Sequence, residues 1–108
     1  MTQIEATNLC KKILKEFDPN NVAKDNTIAD LKTLRSHFLA IEDPMLTKTV
    51  RLAYEHLANN KSFDIEIEDF EATDEQSTFE YFVELLENYE HPFNRKELQE
   101  FKAALEQA

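Results

Sequence analysis

Glycine and tryptophan are absent from the 108 residues, and there is one cysteine. Average usage near ~7% would place several glycines in a chain of this length. Phosphate-cradling loops need glycine because their backbone adopts positive φ and closely approaches the ligand. The P-loop, the dinucleotide-binding fingerprint and the G-x-S-x-G nucleophile elbow are therefore excluded as written. Asparagine is expected to take glycine's left-handed positions at helix ends, in "PNN" (19–21) and "ANN" (58–60). A lone Cys10 leaves neither an internal disulfide nor a thiolate metal cluster.

Apolar runs approaching the ~20 residues that span a bilayer are missing. The opening "MTQIEATNLCKK" lacks the apolar block and small-residue cleavage site of a signal peptide. These features lead us to expect a cytoplasmic protein. Basic residues are missing in one place above all, since no lysine or arginine lies between Lys61 and Arg95. Residues 1–61 carry nine Lys/Arg and eight Asp/Glu, whereas residues 62–108 carry three and fourteen. The net charge of −10 is thus +1 in the first part and −11 in the second. Such a half repels nucleic-acid backbones and anionic membranes, and attracts a cationic partner.

What is present reads as a single helical domain, 1–108, with one core. A chain of this size buries roughly 60–70% of its unfolded surface. Five helices follow from apolar spacing and caps. The first opens on a Thr2/Glu5 capping box and aligns Ala6, Leu9, Cys10, Ile13, Leu14 and Phe17, up to Asp18-Pro19. The second starts near Thr27 with Ile28, Leu31, Leu34, Phe38 and Ile41. Asp43-Pro44 supplies an N-cap and a first-turn proline for the third, which aligns Leu46, Val50, Ala53, Tyr54 and Leu57. Thr73 and Gln76 predict a second capping box for the fourth, whose stripe is Phe79, Phe82, Val83, Leu86 and Tyr89. Asn94 with Glu97 is expected to cap the fifth, with Phe93 stapled against Leu98. Short connections make hairpins of helices two–three and four–five.

A shift of 48 residues superposes Glu42, Pro44, Lys48 and Leu57 on Glu90, Pro92, Lys96 and Leu105. Shared cap chemistry produces four identities of this kind without common origin, so duplication stays open. The expected architecture is an all-α five-helix bundle, an N-terminal helix plus two hairpins, with one short extended segment near 63–68. In that segment Phe63, Ile65 and Ile67 alternate with Asp64, Glu66 and Glu68, the pattern of a half-buried strand. Self-pairing of two such segments would bring carboxylates together, which disfavours a homodimer through this strand without removing it as an alternative.

Chemistry-bearing patterns are sparse. Bundle di-iron sites need Glu three residues before His, but Leu34, Ala53 and Asn88 stand before His37, His56 and His91. Glu87 and His91 read as a surface pair, and His37 and His56 as surface or boundary residues. Cys10, inside an apolar stripe, reads as a buried small hydrophobe. Neither a catalytic group, a metal nor a cofactor is expected. Phe79, Phe82 and Tyr89 fit ordinary core, Tyr81 lies off their stripe as an exposed contact, and His91 falls in an interhelical turn.

Glu80, Glu84 and Glu87 form one acidic stripe on helix four. A solvated face is the plain explanation, yet a face serving solubility alone mixes both signs. The expected binding residues are Asp64, Glu66, Glu68, Asp69, Glu71, Asp74, Glu80, Tyr81, Glu84 and Glu87, facing a basic protein. The stretch "TDEQSTFEYFVELLENYEHP" (73–92) is similar to the acidic helix of colicin-type immunity proteins, which ends in a comparable Glu-His-Pro. That family continues into a Tyr-Tyr-bearing segment missing here, and the likeness covers under a fifth of the chain. It implies a bundle that neutralises a basic target. The expectation is a non-enzymatic interaction module of inhibitor, immunity or nucleic-acid-mimic type. The alternatives are a ligand-binding or enzymatic domain with an apolar pocket between hairpins, and a structural homo-oligomer subunit.

Overall fold

A computed structural model describes residues 1–108 and contains five α-helices: α1 (Gln3–Lys15), α2 (Asp25–Ala40), α3 (Pro44–Asn60), α4 (Thr78–Glu87) and α5 (Pro92–Gln107). The Thr2/Glu5 capping box forms in both directions, and Asp43 caps α3 with Pro44 in its first turn. Three expected starts move. Helix α2 begins at Asp25, leaving Thr27 inside it and buried. Ser77 and Glu80, not Thr73 and Gln76, form the box of α4. Residues 73–76 have no apolar side chain to bury as a helix, so Thr73 Oγ1 instead accepts the amides of Glu75 and Gln76 in a turn. The cap of α5 is His91, whose Nδ1 accepts the Phe93 amide, because Pro92 fits the first turn and not the position before it. Phe93 is consequently exposed and staples nothing.

The left-handed positions also differ from expectation. They are occupied by Glu42 (φ 58°) and Lys61 (φ 60°), and by neither asparagine pair. Asn60 remains helical, its amide bonded to the His56 carbonyl, and the turn falls one residue later. At Glu42 the amide bonds to the Leu39 carbonyl at 3.1 Å and that of Asp43 to Phe38 at 3.0 Å, closing a Schellman motif without glycine.

Each helix packs against two others, in the cyclic order α1–α2–α3–α5–α4 and back to α1. Both hairpins are present, joined through α3 and α5, with α1 closing the ring between α2 and α4. The core at its centre holds Ile13, Leu31, Leu34, Phe38, Leu46, Leu57, Phe79, Phe82, Leu98 and Phe101. Cys10 is buried among them, and burial, reinforced by Glu87, pushes its thiol up to about 12. His37 departs from its expected surface position. It is 4% exposed, packed against the rings of Phe38 and Tyr89, and its Nε2 has no hydrogen-bond partner.

The connector between α3 and α4 contains no strand. Ile67 and Phe70 face each other across a tight turn at Glu68 and Asp69. The alternation predicted for 63–68 does hold in burial: Ile65 is buried, Phe63 and Ile67 are half-buried, and Asp64, Glu66 and Glu68 are exposed. Phe63 anchors the segment, its ring 5.3 Å from Phe79, 5.4 Å from Phe82 and 5.9 Å from His56. Phe70 stacks flat on Tyr81 at 4.2 Å. Two aromatic anchors thus hold an irregular chain where regular pairing does not.

Candidate functional site

The acidic half keeps its charge uncompensated. Residues 62–90 contain eleven Asp/Glu and no Lys/Arg. The six ion pairs in the protein join residues 12–55 and 95–106 among themselves, and none reaches a carboxylate between 62 and 90. The lysines of the first sixty residues therefore do not neutralise this region.

Its carboxylates divide by what they touch. Asp64, Glu66, Glu68, Asp69, Glu71, Asp74 and Glu84 are exposed. Asp64 accepts the Ser62 hydroxyl at 2.6 Å, and its own amide donates to His56 Nε2 at 3.3 Å, fixing where the connector leaves α3. Glu84 accepts the side-chain amide of Gln76, tying the turn before α4 to the helix surface. Glu80 is half-buried and occupied in the capping box, accepting the Ser77 amide at 2.9 Å. Glu87 leans toward α1, sharing a polar cleft with Gln3 and Thr7.

Three adjoining clefts, of about 430, 350 and 270 Å³, run between the connector and the start of α4. All three are lined by Thr78, and successive clefts share Phe63, Asp64, Glu66 or Ala72. Asp64, Glu66, Glu68 and Glu71 are among their lining residues, beside Phe63, Ile65, Ile67 and Phe70.

Tyr81 corrects the expectation of an exposed contact. Its ring lies under Phe70, and its hydroxyl donates to Glu97 Oε1 at 3.2 Å. Burial, then Glu97, pushes the phenol up to about 12. Glu97 is 2% exposed, and its carboxylate, that of Glu100 and that of Asp69 lie within 4.8 Å of one another. An all-oxygen set of this kind has the hardness that calcium or magnesium prefers. The neighbouring Glu97 carboxylate raises Glu100 above the usual carboxylate range, with burial and Asp69 acting in the same direction, and Glu100 Oε2 is buried without a hydrogen-bond partner. Crowding of like charges favours the neutral form of one member of the group. The trio escaped sequence reasoning because Asp69 and Tyr81 come from different elements than Glu97 and Glu100. Only the spacing of the last two, one turn apart, was visible.

No family model, curated protein or solved structure matches the chain. The likeness of residues 73–92 to an immunity-protein helix stays local, and α4 itself covers ten of those residues.

Proposed function

We propose that the protein is a non-enzymatic interaction module, working in the cytoplasm, that binds the basic surface of a partner protein through residues 64–90. The observation that carries this reading is the block of eleven carboxylates without an internal counterion. Keeping so many like charges together costs folding energy through self-repulsion and speeds encounter with a cation of complementary shape. Inhibitor, immunity and nucleic-acid-mimic roles belong to this class. Seven of the ten candidate residues are exposed carboxylates, Asp69 among them. Glu80 and Tyr81 support the local fold, Asp69 turns toward α5, and Glu87 lies at the edge near α1.

Capture from the native host at low and high salt, followed by titration of the purified partner, tests the proposal. One basic protein retained at low salt and released at high salt is the expected result. Binding indifferent to salt, or unchanged after Glu66, Glu68 and Glu84 are all replaced by Lys, would overturn it. Self-association is a second reading, favoured by the exposed Leu39 and Ile41 at the end of α2. It predicts a solution mass that rises with concentration.

A further inference from the structure

Arg35, His37 and Glu100 each bury a polar atom without a hydrogen-bond partner, and of the three only His37 is itself enclosed. It lies in the last turn of α2, against the rings of Phe38 and Tyr89, and its Nε2 meets neither donor nor acceptor. A neutral imidazole can leave one nitrogen as a bare acceptor, whereas an imidazolium presents two N–H donors and a charge. Burying that charge is unfavourable unless a partner comes with it.

The groups around this corner are committed elsewhere. On α2 itself the positions one turn away, Thr33, Leu34, Ala40 and Ile41, carry no charge. From the elements packed on it, the charged groups are Glu5 of α1, Asp43 at the head of α3, Glu90 beside Tyr89, and Arg95 of α5. Glu5 and Glu90 are exposed, and Glu5 accepts the Thr2 amide at 2.9 Å. Asp43 is held by the Leu46 amide and by Arg95, itself a cation. The Tyr89 phenol, pushed up by burial and then by Glu90, stays uncharged. None of these makes an ion pair with the ring. A helix C-terminus ordinarily favours a cation, but the His37, Phe38 and Leu39 carbonyls already accept the amides of Ile41, Asp43 and Glu42. We propose that His37 makes this end of the bundle acid-sensitive: when its ring takes up a proton, the start of α1 and the Tyr89 turn separate from the end of α2. One hydrogen bond, from the Thr7 hydroxyl to the Glu87 carbonyl, ties α1 to the end of α4 there. Histidine's ordinary range, about 6.5, places the response between neutral and mildly acid conditions, where exposed carboxylates remain ionised. The device is independent of the acidic-module reading, since no carboxylate of the connector takes part.

The test uses the full chain at about pH 7.5 and about pH 5.5, on either side of histidine's ordinary range, at constant ionic strength. Amide hydrogen exchange reports opening segment by segment. Protection over residues 5–9 and 88–91 is expected to fall about tenfold relative to α3 of the same molecule, the factor by which a freely titrating histidine favours the opened form over this interval. The ring signals of His37 in the folded molecule, followed by NMR, should stay in place over the same interval. His37→Leu should keep its protection at the lower pH, and circular dichroism reports whether that variant folds. If it does not fold, the ring signals and the protection of the parent decide the matter. A ring that titrates in the folded molecule with protection unchanged would overturn the proposal. So would an equal acid response in folded His37→Leu.

Discussion

The corner joining α2 to α3 and the connector joining α3 to α4 solve the same problem in opposite ways. At the corner, three residues reverse the chain, and nearly every polar group is engaged. Asp43 accepts the Leu46 amide, and Arg95 of α5 reaches both of its oxygens, at 2.9 and 3.3 Å. Residues 61–77 of the connector hold to the bundle by Phe63, Ile65 and Phe70, with their carboxylates free. A polar clamp fixes geometry by spending the corner's charged groups on one another. Aromatic anchoring fixes position as well, and leaves the connector's carboxylates without ion-pair partners.

The largest test of that contrast removes the chief anchor. Phe63→Ala is expected to cost about 3 kcal/mol in urea unfolding, near the lower end for buried aromatics because the ring is half-buried. It should also make the connector the first site of limited proteolysis. Asp43→Ala breaks the corner instead, losing a helix cap and a partly exposed arginine pair for roughly 2 kcal/mol by the same measurement. Next, Glu42→Gly should stabilise by about 1 kcal/mol, since a left-handed residue with a Cβ is strained there. A melting curve checks it.

Smaller still is Glu100→Gln. Glu100 is raised in the folded state, so its contribution is complete below the unfolded value and declines as pH climbs through the folded one. A neutral glutamine avoids that decline. The variant should therefore melt higher than the parent at pH 7, by less than about 1 kcal/mol for a partly screened group, and the difference should vanish near pH 3. Smallest of all, neutralising Asp64, Glu66, Glu68 and Glu71 together should move stability by no more than about 0.5 kcal/mol, as befits exposed positions. The same change should weaken salt-sensitive capture of the basic partner, which separates the connector's recognition role from its anchoring role.

Local chemistry made much of this fold legible. The stripes of α1 and α3, the Thr2/Glu5 box and the Asp43-Pro44 start depend on neighbours within one or two turns, and all are found. The boundaries that moved had rivals of equal pattern. Thr73-x-x-Gln76 and Ser77-x-x-Glu80 both satisfy the capping-box spacing, and only the onset of apolar residues at Phe79 separates them. His37 could have been placed inside, because it lies three residues after Leu34 and beside Phe38, both fully buried. Tyr81 and the Asp69–Glu97–Glu100 group could not, since their meeting depends on how α4, α5 and the connector cross. The acidic block was plain from composition. That it stays free of counterions was not, because lysines distant in sequence can fold onto it.

The sealing of Cys10 has a practical consequence. With its thiol 1% exposed and held protonated, an alkylating reagent can modify the native protein only when α1 lifts away from α2 and α4. The chain therefore carries its own clock for that opening, and a cysteine introduced on the connector could be labelled fast and selectively beside it.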